Sequence, residues 1–256
     1  MKQKIIDWIK DYGDTCGCEG FVVGVSGGVD SALTSTLCAL TGKKVVVVGL
    51  PIHQETVQLN RSQQHMDWLC ATFENVNQVT VDLSQTFEAF KKDSGCISLL
   101  ALANVRSRLR MLSLYAVANS SAKNVLVVGT GNKVEDYGVG FFTKYGDGGV
   151  DISPIAGLLK SEVRIMAREL GVMPEIVDAI PTDGLWEDSR SDEDQIGASY
   201  DELEWALKYY DENGANYERL SPRNCQVLKI YEERHLRNKH KLLAPPTFSY
   251  SDRGGE

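Results

Sequence analysis

The sequence predicts a doubly wound α/β fold, a mostly parallel sheet flanked by helices. Short Val-rich apolar runs recur through the first half of the chain, at 21–25, 44–50 ("KVVVVGL"), 78–82 and 125–129 ("VLVVG"). Stretches with helical spacing separate them, over 31–41, 54–72 and 98–119. The runs are apolar at successive positions instead of alternating, as strands buried on both faces of a parallel sheet are. Strands alternating with helices then wind in one hand and gather their loops beyond the C-terminal strand ends, where such sheets hold ligands.

Taken in order, residues 2–12 predict a short amphipathic helix carrying Ile5, Ile6 and Ile9. Phe21, Val22, Val23 and Val25 are aromatic or β-branched and read as the first strand. From Ser31 onward Leu33, Leu37 and Leu40 recur at helical spacing, with Ala32 and Ala39 beside them. After the fourth strand, "GFFTKYGDGGVDISP" is rich in Gly and Asp and reads as irregular loop. "KSEVRIMAREL" predicts a helix with Val163, Ile165 and Met166 on its apolar side, closed by Gly171. The polar, acidic stretch 183–195 is long for a structureless connection, and a lid over the site is its functional reading. Helices near 199–210 and 222–237 follow, then a tail of little regularity from about 242. Residues 1–256 are expected to form one domain.

The net charge of -8 and pI near 5.1 argue against the basic footprint of a nucleic-acid binder. Six cysteines without metal-knuckle or paired spacing read as reduced thiols. "MKQKIIDWIKDYGD" carries charges throughout, so neither a signal peptide nor a membrane span is expected there and a cytoplasmic location is.

The chemistry concentrates at "GVSGGVDS", Gly24 to Ser31. A strand, a glycine turn and a helix N-terminus together make an anion-binding nest. The loop is not a Walker A sequence, because no lysine follows Gly28, and it lacks the third glycine of the dinucleotide fingerprint. Ser26-Gly27-Gly28-Val29-Asp30-Ser31 instead matches the loop of the ATP pyrophosphatases, which cleave ATP between its α and β phosphates. In that reading backbone N–H groups and the Ser26 and Ser31 hydroxyls hold the departing pyrophosphate, and Asp30 binds a bridging Mg²⁺.

Five further segments resemble the ammonia-dependent NAD synthetases: "ANVRSRLRMLSLY" (103–115), "NKVEDYGVG" (132–140), "FFTKYGDGGVDISP" (141–154), "PTDGLW" (181–186) and "DEDQIGASYDELE" (192–204). The likeness runs from about residue 2 to 247. It implies an adenine nucleotide alpha hydrolase-like fold and the ATP-dependent amidation of deamido-NAD by ammonia through an acyl-adenylate, with AMP and pyrophosphate released. It also implies a homodimer. By the same resemblance Gly24, Val25, Ser26, Gly27, Gly28, Val29, Asp30, Ser31, Thr130, Lys160 and Thr182 meet ATP. Arg108, Lys144, Asp151, His240 and Lys241 meet deamido-NAD, and Glu135 joins Asp30 on the metal. "EDYGVGFFTK" is one residue longer between Glu135 and Lys144 than in some members, which keeps the adjacent Asp136 as an alternative ligand. Asp183 is the candidate for taking a proton from ammonia.

Helical geometry gives an independent reading of 103–116. At about 100° per residue, Val105, Leu109, Leu112 and Ala116 form one apolar stripe, with Asn104, Arg108 and Tyr115 on its flank. Arg108 is then expected at a pocket rim, and Arg106 and Arg110 in solvent. His53, in the loop after the second strand, reads as neither ligand nor catalyst. The residues leave another acceptor open, as in an amide ligase or thiolating enzyme with the same loop, and also a non-catalytic nucleotide binder. The lack of a basic stripe opposes a tRNA acceptor, and the second metal ligand opposes pure binding. No glutaminase domain is expected, so free ammonia or a separate glutaminase is expected to supply the nitrogen.

Overall fold

A computed structural model describes residues 1–95, 98–120, 124–182 and 191–248. Four strands, β1 (Gly20–Gly24), β2 (Lys44–Gly49), β3 (Val76–Thr80) and β4 (Val125–Val128), form one sheet in the order β3-β2-β1-β4. Every pairing is parallel, with Phe21 level with Val45 on one side and Leu126 on the other. Phe21, Val22 and Val23 of the central β1 are fully buried, as a strand covered on both faces must be.

The helices are α1 (Lys2–Thr15), α2 (Val29–Ala39), α3 (Thr56–Thr72), α4 (Ser84–Asp93), α5 (Leu99–Ser120), α6 (Lys160–Glu169), α7 (Pro174–Val177), α8 (Asp192–Ile196), α9 (Tyr200–Asn213) and α10 (Pro222–Asn238). One core packs α1, α2, α6 and α7 on one sheet face, around Phe21, Leu33, Leu37 and Ile155. A second packs α4 and α5 on the opposite face, around Val22, Val48 and Phe87. A third joins α9 and α10 to the segment after β4, around Leu203, Leu207 and Tyr231. Each fully buried Leu contributes about 1.5–3 kcal/mol, so Leu33 and Leu37 hold α2 firmly on the sheet.

The third strand differs from its expected bounds of 78–82. Pairing with β2 starts at Val45 opposite Val76, and β3 is an edge strand with only Val76 buried, so "VNQVT" needs no continuous apolar run. α4 has no counterpart in the sequence reading, because it buries a single residue, Phe87. The segment 133–139, given no element in the sequence reading, is a π-helical turn (Lys133–Val139).

On α5 the expected apolar stripe holds only at Val105 and Leu109, which pack against the core. Leu112 is 61% exposed and Ala116 is exposed, while Leu102, Ala103, Arg106 and Ser107 face inward. Arg106 is not in solvent: its guanidinium lies 4.2 Å from the centre of the Phe87 ring, so a cation enters the core edge on an aromatic face. Arg110 is also engaged, donating to the Leu50 carbonyl (3.1 Å) and Gln54 Oε1 (3.2 Å).

Residues 244–248 carry no regular structure, and the rest of the expected tail lies outside the described residues. None of the described helices is long and apolar enough to cross a membrane.

Candidate active site

The glycine loop leaves β1 at Gly24 and enters α2 at Val29, with Gly28 as N-cap. Gly27 has φ +86°, and a Cβ there would stand 2.6 Å from the Gln58 carbonyl oxygen, so only glycine fits against α3. The loop is wired to itself. Ser26 N and Ser31 Oγ are 3.1 Å apart, Ser31 Oγ donates to the Gly28 carbonyl (3.0 Å), and Gly28 N donates to Ser26 Oγ (3.2 Å). These bonds hold the amides at the α2 N-terminus, where the helix dipole favours an anion.

β4 ends on the same rim. Beyond it, Asn132 caps the π-helical turn by accepting from Val134 N and Glu135 N, both at 3.0 Å. The Asn132 amide donates to Asp30 Oδ1 at 3.1 Å, tying the two loops together across the sheet. Asn132 was not among the sequence candidates. The signal for it was an Asn three residues before a Glu, the pattern of a helix start.

Lys160, the first residue of α6, reaches both carboxylates of the rim. Its Nζ lies 2.6 Å from Asp30 Oδ2 and 2.8 Å from Glu135 Oε1, with 4% of its side chain exposed. Burial works against its charge, but Asp30 and Glu135 more than offset this and hold its pKa above the ordinary lysine range. The N-terminus of α6 would otherwise repel this cation. Glu162 accepts from Leu159 N and Glu204 from Ser161 N, which supplies the compensating negative charge. Tyr200 completes the cluster, donating its hydroxyl to Glu135 and lying 3.2 Å from Asp192 Oδ2. Burial, with Glu135 and Asp192 beside it, keeps that phenol protonated. No sequence signal links Tyr200 to Glu135, 65 positions away.

Asp136 lies next to this cluster, in the cleft wall. Burial, then Asp147, Glu135 and Asp30, raise its carboxyl well above the usual range. It packs against Gly131, where a Cβ would stand 1.8 Å from its Oδ2.

The cleft bounded by these elements has a volume of ≈ 800 Å³. Its wall includes all of Gly24 to Ser31, with Thr130, Glu135, Lys160, Thr182, Arg108, Lys144, His240 and Lys241. Residues from 24 to 241 thus meet in one space. Arg108 stands exposed at the rim, 3.3 Å from the Lys144 carbonyl. Lys144 donates to the carbonyls of His240 (2.9 Å) and Leu243, and Lys241 to those of Gly140 (2.9 Å) and Phe142 (2.8 Å). The two lysines therefore clasp the C-terminal segment to the loop after the π-helical turn. Gln58 donates to Thr182 Oγ1.

Asp151 is not brought to the cleft wall. Its carboxylate accepts from Val127 N (2.7 Å) and Tyr115 Oη (3.0 Å) beside the edge strand β4. Asp183 and most of the expected lid, 183–190, lie outside the described residues; the remainder starts α8, whose Asp192 and Gln195 reach the wall. His53 pairs with Glu88 at 3.0 Å on the surface, away from the wall.

The family model for NAD synthase matches residues 1–245. The chain belongs to the NAD synthase family. Over 255 residues it is 36% identical to the NH(3)-dependent NAD(+) synthetase of Methanosarcina acetivorans, covering 96% of each chain. Among solved structures, an NMN synthetase from Francisella tularensis superposes with a TM-score of 0.84 at 31% identity, over 97% of both chains. The NH3-dependent NAD synthetase of Campylobacter jejuni superposes at 0.78 and 27% identity, also over 97% of both. This family's solved members share the parallel sheet and flanking helices described above. Its members are ligases that form a C–N bond, and the glycine loop and its opposing carboxylates are the part of this chain suited to the ATP such a ligation consumes.

Proposed function

We propose that this chain makes NAD by amidating the nicotinic acid carboxylate of deamido-NAD with ammonia, at the expense of ATP. The observation that carries the reading is the Lys160 ammonium held between Asp30 and Glu135 at the mouth of the glycine loop. Two acidic groups from separate loops and one buried cation on an amide nest are the parts that phosphoryl chemistry calls for.

In the first step a carboxylate oxygen of the substrate attacks the α-phosphorus of ATP, and the bond to the β-phosphate oxygen breaks. The amides of the Gly27–Gly28 turn and the Ser26 and Ser31 hydroxyls take the departing pyrophosphate. Lys160 offsets the charge that builds on the phosphates. In the second step ammonia attacks the acyl carbon, AMP leaves, and a proton is lost from nitrogen. Arg108, Lys144, His240 and Lys241 form the far wall, where the anionic acceptor is expected. Positioning supplies most of the rate, because free ammonia is already a competent nucleophile.

Asp30 and Glu135 suit Mg²⁺, an ion usually bound by one or two carboxylates with phosphate oxygens and water completing its shell. The Lys160 ammonium between them is a stand-in cation that marks the position. Bound there, Mg²⁺ would neutralise and orient the phosphates. The acyl-adenylate hydrolyses readily in water, which gives the 183–195 stretch its reason as a cover.

One assay tests the reading: ATP, Mg²⁺, ammonium and deamido-NAD, followed for AMP, pyrophosphate and NAD in equal amounts. Absence of NAD with every component present would refute it. The similarity to the Francisella NMN synthetase supports a second acceptor, nicotinic acid mononucleotide. Running both acceptors in parallel decides between them by their kcat/KM ratio. A homodimer, a single-domain chain and a cytoplasmic location belong to the same proposal.

A further inference from the structure

Arg61 is a cation that the scheme above leaves unused. It lies on α3 one turn after Gln58 and forms part of the cleft wall. The glycine loop rests on this turn: a Cβ at Gly27 would meet Gln58 O at 2.6 Å, Ser62 N at 3.1 Å and Arg61 Cβ at 3.4 Å. The turn is pinned by Ser62 Oγ, which donates to the Val25 carbonyl at 2.7 Å, and by Gln58, which donates to Thr182. Arg61 is thus held on the turn of α3 that backs the glycine loop.

Its Nε is buried and has no hydrogen-bond partner. An unmet buried donor costs about 1–3 kcal/mol, so the unmet Nε at the cleft wall points to a ligand for this side chain. The neighbouring lysines each already hold protein acceptors. Lys160 is shared by Asp30 and Glu135, and Lys144 and Lys241 hold main-chain carbonyls. A nucleoside triphosphate brings about four negative charges, and cleavage leaves most of them on the pyrophosphate.

We infer that Arg61 is a further nucleotide-binding residue of this chain, its guanidinium taking the β- and γ-phosphates beside the Gly27–Gly28 amides. The inference rests on the function proposed above. A planar guanidinium suits the task because it meets two phosphate oxygens at once and cannot lose its proton. The terminal phosphates then sit in the cleft over the Gly27–Gly28 amides, beside the turn of α3 that carries Arg61.

Isothermal titration tests this with two probes, inorganic pyrophosphate in Mg²⁺ and AMP, on the parent, Arg61→Gln and Arg61→Lys. Arg61→Gln is expected to weaken pyrophosphate binding about ten- to a hundred-fold, the value of hydrogen bonds to a charged group. Arg61→Lys should recover part of that loss, and AMP affinity should stay as in the parent. Unchanged pyrophosphate affinity in Arg61→Gln overturns the inference. So does an equal loss of both probes in both variants, which marks a packing role. A parent that binds neither probe refutes the proposed function itself, and this inference with it.

Discussion

At the scale of single residues, Lys160 settles how the site stands before its substrates arrive. Asp30 and Glu135 converge on one point, and without the ammonium two carboxylates would face each other there. Removing one member of a buried ionic group typically costs 3–5 kcal/mol, because the remaining charge is left uncompensated. Lys160→Met is therefore expected to lower the melting temperature of the free protein. Added Mg²⁺ should restore more of that loss in the variant than it adds to the parent, since the ion then has no lysine to displace. Calorimetric scans with and without Mg²⁺ check both; an equal Mg²⁺ effect in the two proteins would mean that the lysine does not hold the metal position. Asp30→Ala removes a bond to Lys160, a bond to Asn132 and the proposed metal ligand together. Turnover is expected to fall by about a hundred- to a thousand-fold or more, the scale of losing one strong electrostatic contact to the reacting phosphates. Near-parent kcat would contradict the site.

At the scale of elements, the contact between α2 and α3 positions the glycine loop, and it contains a buried histidine. His65 Nε2 lies 3.1 Å from Ser35 Oγ, its ring stacks on Trp68, and its Nδ1 has no partner. Burial pushes its pKa down to about 4, against 6.5 in an open chain. The folded protein thus keeps His65 neutral where the unfolded chain takes up a proton. Stability from this group is complete above pH 6.5, is lost as the pH falls from 6.5 to about 4, and changes no further below. The loss over that range is about 3 kcal/mol. Urea midpoints of the parent and His65→Gln, measured from pH 7.5 down to 4.5, should diverge in slope, the parent losing more. Parallel curves would show that this ring carries no pH dependence. The helix α5 teaches a related lesson: Val105 and Leu109 of the expected stripe pack on the core, but Arg106 lies inside against Phe87 and Leu112 outside, so the periodicity is only half right. A long side chain that can lay a cation on an aromatic ring escapes the simple apolar count.

At the scale of the whole molecule, Leu99, Leu100 and Leu112 stand 70%, 62% and 61% exposed on α5, and a second copy of the chain is the proposed cover. Sedimentation is expected to give twice the 28.3 kDa chain mass, and Leu112→Glu to shift it toward the monomer. A monomeric parent would remove the homodimer from the proposal. What the sequence determined by itself was the local part: the β1–loop–α2 unit, the parallel winding, and the carboxylate at 30. Each rests on neighbours in the chain, on continuous apolar runs and on glycines that only one backbone conformation needs. The edge strand β3 and the single-contact helix α4 were illegible because neither carries an apolar pattern of its own. Only the tertiary structure brought Lys160 between Asp30 and Glu135, turned Asn132 and Tyr200 onto them, set Asp151 aside and left Arg61 facing the glycine loop. These pairings span from tens of positions to more than a hundred, and partners so far apart are chosen by how the layers pack and where buried charge must be balanced, which no local pattern records.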